Sequence, residues 1–145
     1  MSDTQIPALD HTVQQTNLWL KKLVEEHHFE DRHQAYNALR AVIQTLRDQL
    51  TVEQALHLSA QIPMLVRGIF FEGYHLGADR KASHVAQFES KVADRLPPNF
   101  PRAPRVLITA VFELLASELD PGLIAKLIDE LPVPLRSLWP SAARR

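Results

Sequence analysis

The sequence has no cysteine, which removes disulfides, thiolate metal sites, iron–sulfur clusters and cysteine nucleophiles together. Glycine is nearly as scarce: four residues cannot supply the Gly-rich loops with which many nucleotide enzymes cradle phosphate. No apolar stretch runs uninterrupted for the roughly 18 residues of a membrane span. The start, from Met1 to Pro7, has no basic segment followed by an apolar one. The expectation is a cytoplasmic protein with no membrane partner. Nor does one sign of charge dominate. Sixteen basic against seventeen acidic residues leave a net charge of -1, so no global field draws the chain to nucleic acid or anionic lipid.

What is present is a globular composition, 46% apolar and 23% charged over 145 residues, enough for one domain or two small ones sharing an interface. Its organising feature is self-similarity. Residues 35–70 lie without a gap on residues 104–139, since 132 − 63 and 136 − 67 both give an offset of 69. Ala41 meets Ala110, Val42 meets Val111, Leu46 meets Leu115, Leu50 meets Leu119 and Leu58 meets Leu127. Upstream, Trp19 meets Phe88, Lys22 meets Lys91 and Leu23 meets Val92. Any two amphipathic helices share some leucines. The matching ends do not follow from amphipathicity: Gln61-Ile62-Pro63-x-x-Val66-Arg67-x-Ile69-Phe70 faces Glu130-Leu131-Pro132-x-x-Leu135-Arg136-x-Leu138-Trp139.

Each copy reads as four helices. The first, over 13–27, carries Trp19, Leu20, Leu23 and Val24 on one stripe, and its partner over 83–96 carries Val85, Phe88, Val92 and Leu96. The second follows an N-cap at Asp31 with Gln34 three residues on, and its apolar residues Ala35, Ala38, Leu39, Val42, Ile43 and Leu46 place Arg40, Gln44 and Arg47 on the opposite, wet side. Its counterpart, from Val106 to Leu115, is apolar over most of its circumference and is expected at the centre. Short third helices start at the caps Thr51, with Gln54, and Asp120, with Pro121; fourth helices open at Pro63 and Pro132. Nothing alternates with period two. The fold class is therefore all-α: a first unit over 13–72, a linker over 73–82 containing two glycines, a second unit over 83–140, and tails over 1–12 and 141–145.

The blocks Ala38-Leu39-Arg40-Ala41-Val42, Leu46-Arg47-Asp48, Gln61-Ile62-Pro63-x-Leu65-x-Arg67-Gly68 and Leu131-Pro132-x-x-Leu135-Arg136-x-Leu138-Trp139 resemble those of a bacterial helical family catalogued as a domain of unknown function. Its members show ALRAVL, QLP-x-LLRG and LP-x-x-LR-x-LW strings in that order. Phe70-Phe71 stand here where tyrosines are common, and Tyr74 where tryptophan is common. The resemblance, from about Thr16 to Pro140, implies a bacterial all-helical protein and no particular activity.

Candidate sites are few. His27, His28, Asp31 and His33 carry imidazole and carboxylate ligands for a transition metal. Asp31 reads better as a cap, however, and the corresponding segment near Pro97-Pro98-Asn99 has no such ligands, so a solvated helix corner is preferred. His75, Asp79 and His84, with Glu72, read as linker polarity. No catalytic pair and no cofactor are expected. Arg67 and Arg136 occupy the same place in both copies, where they would clamp an anion or bond the carbonyl end of a helix; a duplicated position favours the structural job. Arg32, Arg40, Arg47, Arg144 and Arg145 are too few, and too close to acidic residues, for nucleic acid. Leu65, Val66, Ile69, Phe70, Phe71 and Tyr74 crowd one end with apolar surface that packs the junction or meets a partner. The expected function is a non-enzymatic module that binds another protein or itself through Phe70, Phe71, Tyr74, Arg67 and Arg136. The alternative is a small-ligand- or metal-dependent enzyme using the histidine corner or the paired arginines.

Overall fold

Helix starts follow the caps written in the sequence. In the computed structural model, which describes residues 4–77 and 81–144, the Asp31 carboxylate accepts from the Gln34 N–H at 2.8 Å. Thr51 and Gln54 form a reciprocal capping box, and Asp120 accepts from the Leu123 N–H at 2.9 Å with Pro121 in the first turn. The helices, in chain order, are α1 (Pro7–His27), α2 (Arg32–Arg47), α3 (Val52–Ser59), α4 (Met64–Phe71), α5 (Val85–Asp94), α6 (Pro104–Glu118), α7 (Pro121–Glu130) and α8 (Val133–Arg136), followed by a 3-10 turn (Ser141–Ala143). Among the described residues there is no strand, and no helix is long and apolar enough to cross a membrane.

The helices enclose one core. α6 is central, as its all-round apolarity predicts: Leu107, Ile108, Ala110, Val111, Phe112, Leu114 and Leu115 are buried, and it packs against α1, α2, α5 and α7. α2 lies against α6, α4, α1 and α5, so the two halves of the chain interleave. Phe112 stacks on Trp139 with centroids 4.0 Å apart and meets Phe88 edge-on. α3 and α7 start 69 residues apart (121 − 52), and so do α4 and α8 (133 − 64).

Three expectations change. Residues 7–12 are not tail but the first two turns of α1, with Pro7 in the first turn and the Thr4 hydroxyl donating to Asp10. The extension is held because buried Thr12 accepts the Leu65 N–H at 2.9 Å, one of the orphan donors that open α4. The 73–82 segment is not simply exposed linker: Ala82 is buried, and its N–H donates to the Gln49 side chain at 2.7 Å. Gly73 and Gly77 do break the chain there, both with φ in the left-handed region that glycine tolerates. Finally, the wet face expected of α2 is largely dry. Gln44 and Arg47 are buried and Arg40 is half-buried, because α4, the segment after it and α5 cover that side.

The aromatic stack at the centre gives a direct check. Phe112→Ala should lower stability by about 3–5 kcal/mol through lost contacts and a residual cavity. The effect would appear as a lower urea midpoint with helical circular dichroism retained.

Candidate functional site

The covered face of α2 holds the densest polar construction in the molecule. Arg47, 1% exposed, sends Nε and Nη2 to the Asp48 carboxylate, each at 3.0 Å. Its Nη1 donates to the carbonyls of Phe70 and Glu72, both at 2.9 Å, and the Tyr74 ring lies 5.1 Å from the guanidinium carbon. The other Asp48 oxygen accepts from Arg95 at 2.6 Å, while Arg95 also donates to the Thr45 hydroxyl at 2.8 Å. Gln44 donates to the Ile69 carbonyl, and Gln49 to that of Thr45. One carboxylate thus bridges two guanidiniums; Arg47 spends its remaining nitrogen on backbone carbonyls and Arg95 donates to the Thr45 hydroxyl. Because every described partner belongs to the chain itself, the network locks the segment after α4 and the end of α5 onto α2.

Arg67 and Arg136 do a similar job. Arg67 donates to the carbonyls of Ser59 (2.7 Å) and Ile62 (3.2 Å), and Arg136 to those of Leu131 (3.0 Å) and Asp129 (2.7 Å). Each staples the carbonyl end of the preceding helix, α3 or α7, which matches the structural job weighed from the sequence. Of the aromatic candidates, Phe70 is fully buried beneath α2 and cannot meet a partner at the surface; that part of the expected contact face is core. Phe71 and Tyr74 are half-buried, packed edge-on and tilted in a short row from Phe70.

The histidine corner is not assembled as a ligand set. Asp31 caps α2, His27 Nε2 faces Glu113 at 3.7 Å, and His28 and His33 are exposed. His28 ends α1 in the left-handed conformation, and Arg102 from the proline-rich loop bonds the carbonyls of His27 and His28 while lying over Phe29. Arg102 is a fastening residue that the sequence pattern did not single out. Among the described residues no three histidines, aspartates or glutamates are placed to hold a metal. His75 and Glu72 are exposed, His84 caps α5, and Asp79 lies outside the described residues, as does Arg145. At the surface, the Lys22 ammonium is held above its ordinary pKa by its hydrogen bond to Glu118, with burial opposing the shift.

Two surface features remain. Ile6, Leu9 and Val13 expose large apolar side chains around α1, as do Met64 and Leu65 at the start of α4. The Leu65–Thr12 hydrogen bond joins α1 to the start of α4. On another part of the molecule, a cleft of about 580 Å³ opens between the end of α6, the start of α7 and the C-terminal 3-10 turn. Its walls are mostly small and apolar, with Glu113 among the few charged groups.

Removing the bridging carboxylate tests the network. Asp48→Ala should cost about 3–5 kcal/mol, because it leaves two guanidiniums facing each other without their shared anion. Equilibrium urea unfolding would show the loss, and an unchanged midpoint would mean the bridge is not formed.

Comparison with curated proteins finds no match. A family match covers residues 16–138, to the family described as Uncharacterized conserved protein (DUF2267). That span takes in α2 to α8 and all but the first turns of α1. With most of its length matched, including the buried network and both arginine staples, the chain belongs to the DUF2267 family.

Proposed function

We propose that the protein is a non-enzymatic interaction module of the bacterial cytoplasm, and that it binds a helix of another protein on its α1–α4 face. The observation that carries this reading is the grouping of five exposed apolar side chains, Ile6, Leu9, Val13, Met64 and Leu65, on two helices joined by the Thr12–Leu65 hydrogen bond. Apolar side chains gathered on one face favour association over solvation, and two adjoining helices offer a shallow groove of the kind that accepts a third. The face replaces the one expected around Phe70, whose ring is inside. Phe71 and Tyr74, half-buried, lie at the far end of α4 from it.

The same reading treats the chain as two related helical units. Its support is the constant offset of 69, the paired starts of α3 and α7 and of α4 and α8, and the common use of Arg67 and Arg136 as staples. The enzyme alternative has less behind it. Its proposed arginines already have backbone partners, and of its histidines His27 faces Glu113 while His28 and His33 are exposed.

Affinity capture from bacterial lysate with wild type and with Leu9→Asp/Leu65→Asp provides the test. Both positions are exposed, so the variant should keep its fold. A partner identified with wild type should be lost with the variant. Equal capture by the folded variant would reject the face, and concentration-dependent dimerisation abolished by the variant would replace the foreign helix with a second copy.

A further inference from the structure

The cleft between α6, α7 and the C-terminal turn gains meaning from the other half of the chain. At the offset of 69, its α6 wall residues Glu113, Ala116 and Ser117 correspond to Gln44, Arg47 and Asp48, and its C-terminal wall residues Pro140 and Ala143 to Phe71 and Tyr74. In the first half the part of this space beside α2 and the end of α4 is full, while Val52 and Leu56, on the α3 side, are exposed. The Arg47 side chain crosses it to the carbonyls of Phe70 and Glu72, the Tyr74 ring covers the guanidinium, and Gln44 reaches the Ile69 carbonyl. In the second half the two large side chains are replaced by methyl groups, Ala116 and Ala143, and the space is an open cleft of about 580 Å³.

We propose that this cleft receives an arginine side chain from a partner protein, accompanied by an aromatic ring, in the place that Arg47 and Tyr74 fill in the first half. The backbone positions that accept from Arg47 there, Phe70 and Glu72, correspond to Trp139 and Ser141, which flank Pro140 of the cleft wall; the Ser141 carbonyl also accepts the Arg144 N–H. Glu113, at the Gln44 position, turns a neutral side chain into a carboxylate and supplies the negative charge that a guanidinium requires. Its recorded ion contact is a 3.7 Å approach to His27, and its side chain is 60% exposed, so it is accessible to an incoming cation. Arg144 lies at the cleft in the His75 position and is exposed, so its charge can stay in water while the occupant uses the Glu113 side. The small walls, Ala116, Gly122, Ala142 and Ala143, leave width for a flat guanidinium and ring. A guanidinium meets carbonyls and a carboxylate through several fixed donors, whereas an ammonium has no matching planar fork. The inference rests on the equivalence of the two halves proposed above and is independent of the α1–α4 face.

Nitrogen-15-labelled full-length protein titrated with the blocked dipeptide N-acetyl-Arg-Tyr-amide tests the site. Saturable shifts should centre on the amides of Ala116, Ser117, Gly122 and Ala143, and the Lys-Tyr analogue should bind about tenfold more weakly. Glu113→Gln should weaken the Arg peptide by a similar factor, about tenfold. Absence of cleft shifts at millimolar peptide, or equal binding of the Lys analogue, would overturn the proposal. The equivalence of the halves has its own readout. Ala116→Arg/Ala143→Tyr should fill the cleft, raise the thermal midpoint and abolish peptide binding. A lower midpoint in that variant, with peptide binding by wild type intact, would reject the equivalence while leaving the arginine site standing.

Discussion

The Asp48 carboxylate is the constraint around which the rest of the molecule is arranged. A fully buried guanidinium such as Arg47 carries a desolvation penalty of several kcal/mol, which a single ion pair in a buried place offsets only if its remaining donors are bonded. Here they are: two go to Asp48 and one is shared by two carbonyls. The partial negative charge at the end of α2 favours a cation in its last turn and disfavours the Asp48 carboxylate, so Asp48 needs the second cation, Arg95, as much as Arg47 needs Asp48. At an effective dielectric of about 20, each close contact contributes on the order of 4 kcal/mol of attraction before desolvation, and neither alone covers the cost of burying all three groups. Only the assembled set is favourable.

Because its members come from distant parts of the chain, the network selects one arrangement among those that would bury similar apolar area. Arg47 and Asp48 sit at the end of α2, the carbonyls lie in the last turn of α4 and just after it, and Arg95 caps α5. Apolar packing between α2, α4 and α5 tolerates sliding, since leucine and valine contacts are exchangeable. Two Arg47 donors converging on one Asp48 oxygen at 3.0 Å, and a bridge from the other oxygen to Arg95 at 2.6 Å, are not. The network therefore fixes how the segment after α4 leaves α2, and Gln49, bonding the Ala82 N–H, fixes where it returns.

This also explains which parts of the structure could be read from the sequence. Caps at Asp31, Thr51 and Asp120 are local, decided by a side chain three residues from its backbone partner. The centrality of α6 is local too, since an apolar circumference has no wet side to offer. The burial of Arg47 depends on neighbours 23 to 25 residues away, and the first turns of α1 on a bond between residues 53 apart. Amphipathic patterning assigns an arginine opposite a leucine stripe to water, and it has no means of seeing a second wall. A signal was available in the run Ala35, Ala38 and Ala41, small residues on a helix with otherwise large apolar ones, which marks close approach on more than one side. The same logic misplaced Phe70: an aromatic on a short helix gives no indication of which face the core takes.

The ends of α4 and α8 differ in how the backbone satisfies its carbonyls. After α4, Arg47 supplies donors to Phe70 and Glu72, and the helix runs for eight residues before it ends. α8, in contrast, lasts four residues. Pro134 lies in the first turn of α8 and Pro140 removes a further N–H donor, so a longer helix would lose ladder bonds with nothing to replace them. The chain instead closes short local bonds, Trp139 to Arg136, Ala143 to Pro140 and Arg144 to Ser141, and folds into the 3-10 turn. Trp139 compensates in bulk for what α8 lacks in length, stacking flat on Phe112 with its buried indole N–H unpaired among the described residues. A buried donor costs free energy when unpaired, so the ring is retained for its contact area rather than its polarity. The prolines and the bulk of Trp139 thus account together for the short α8 and the tightened C-terminal turn.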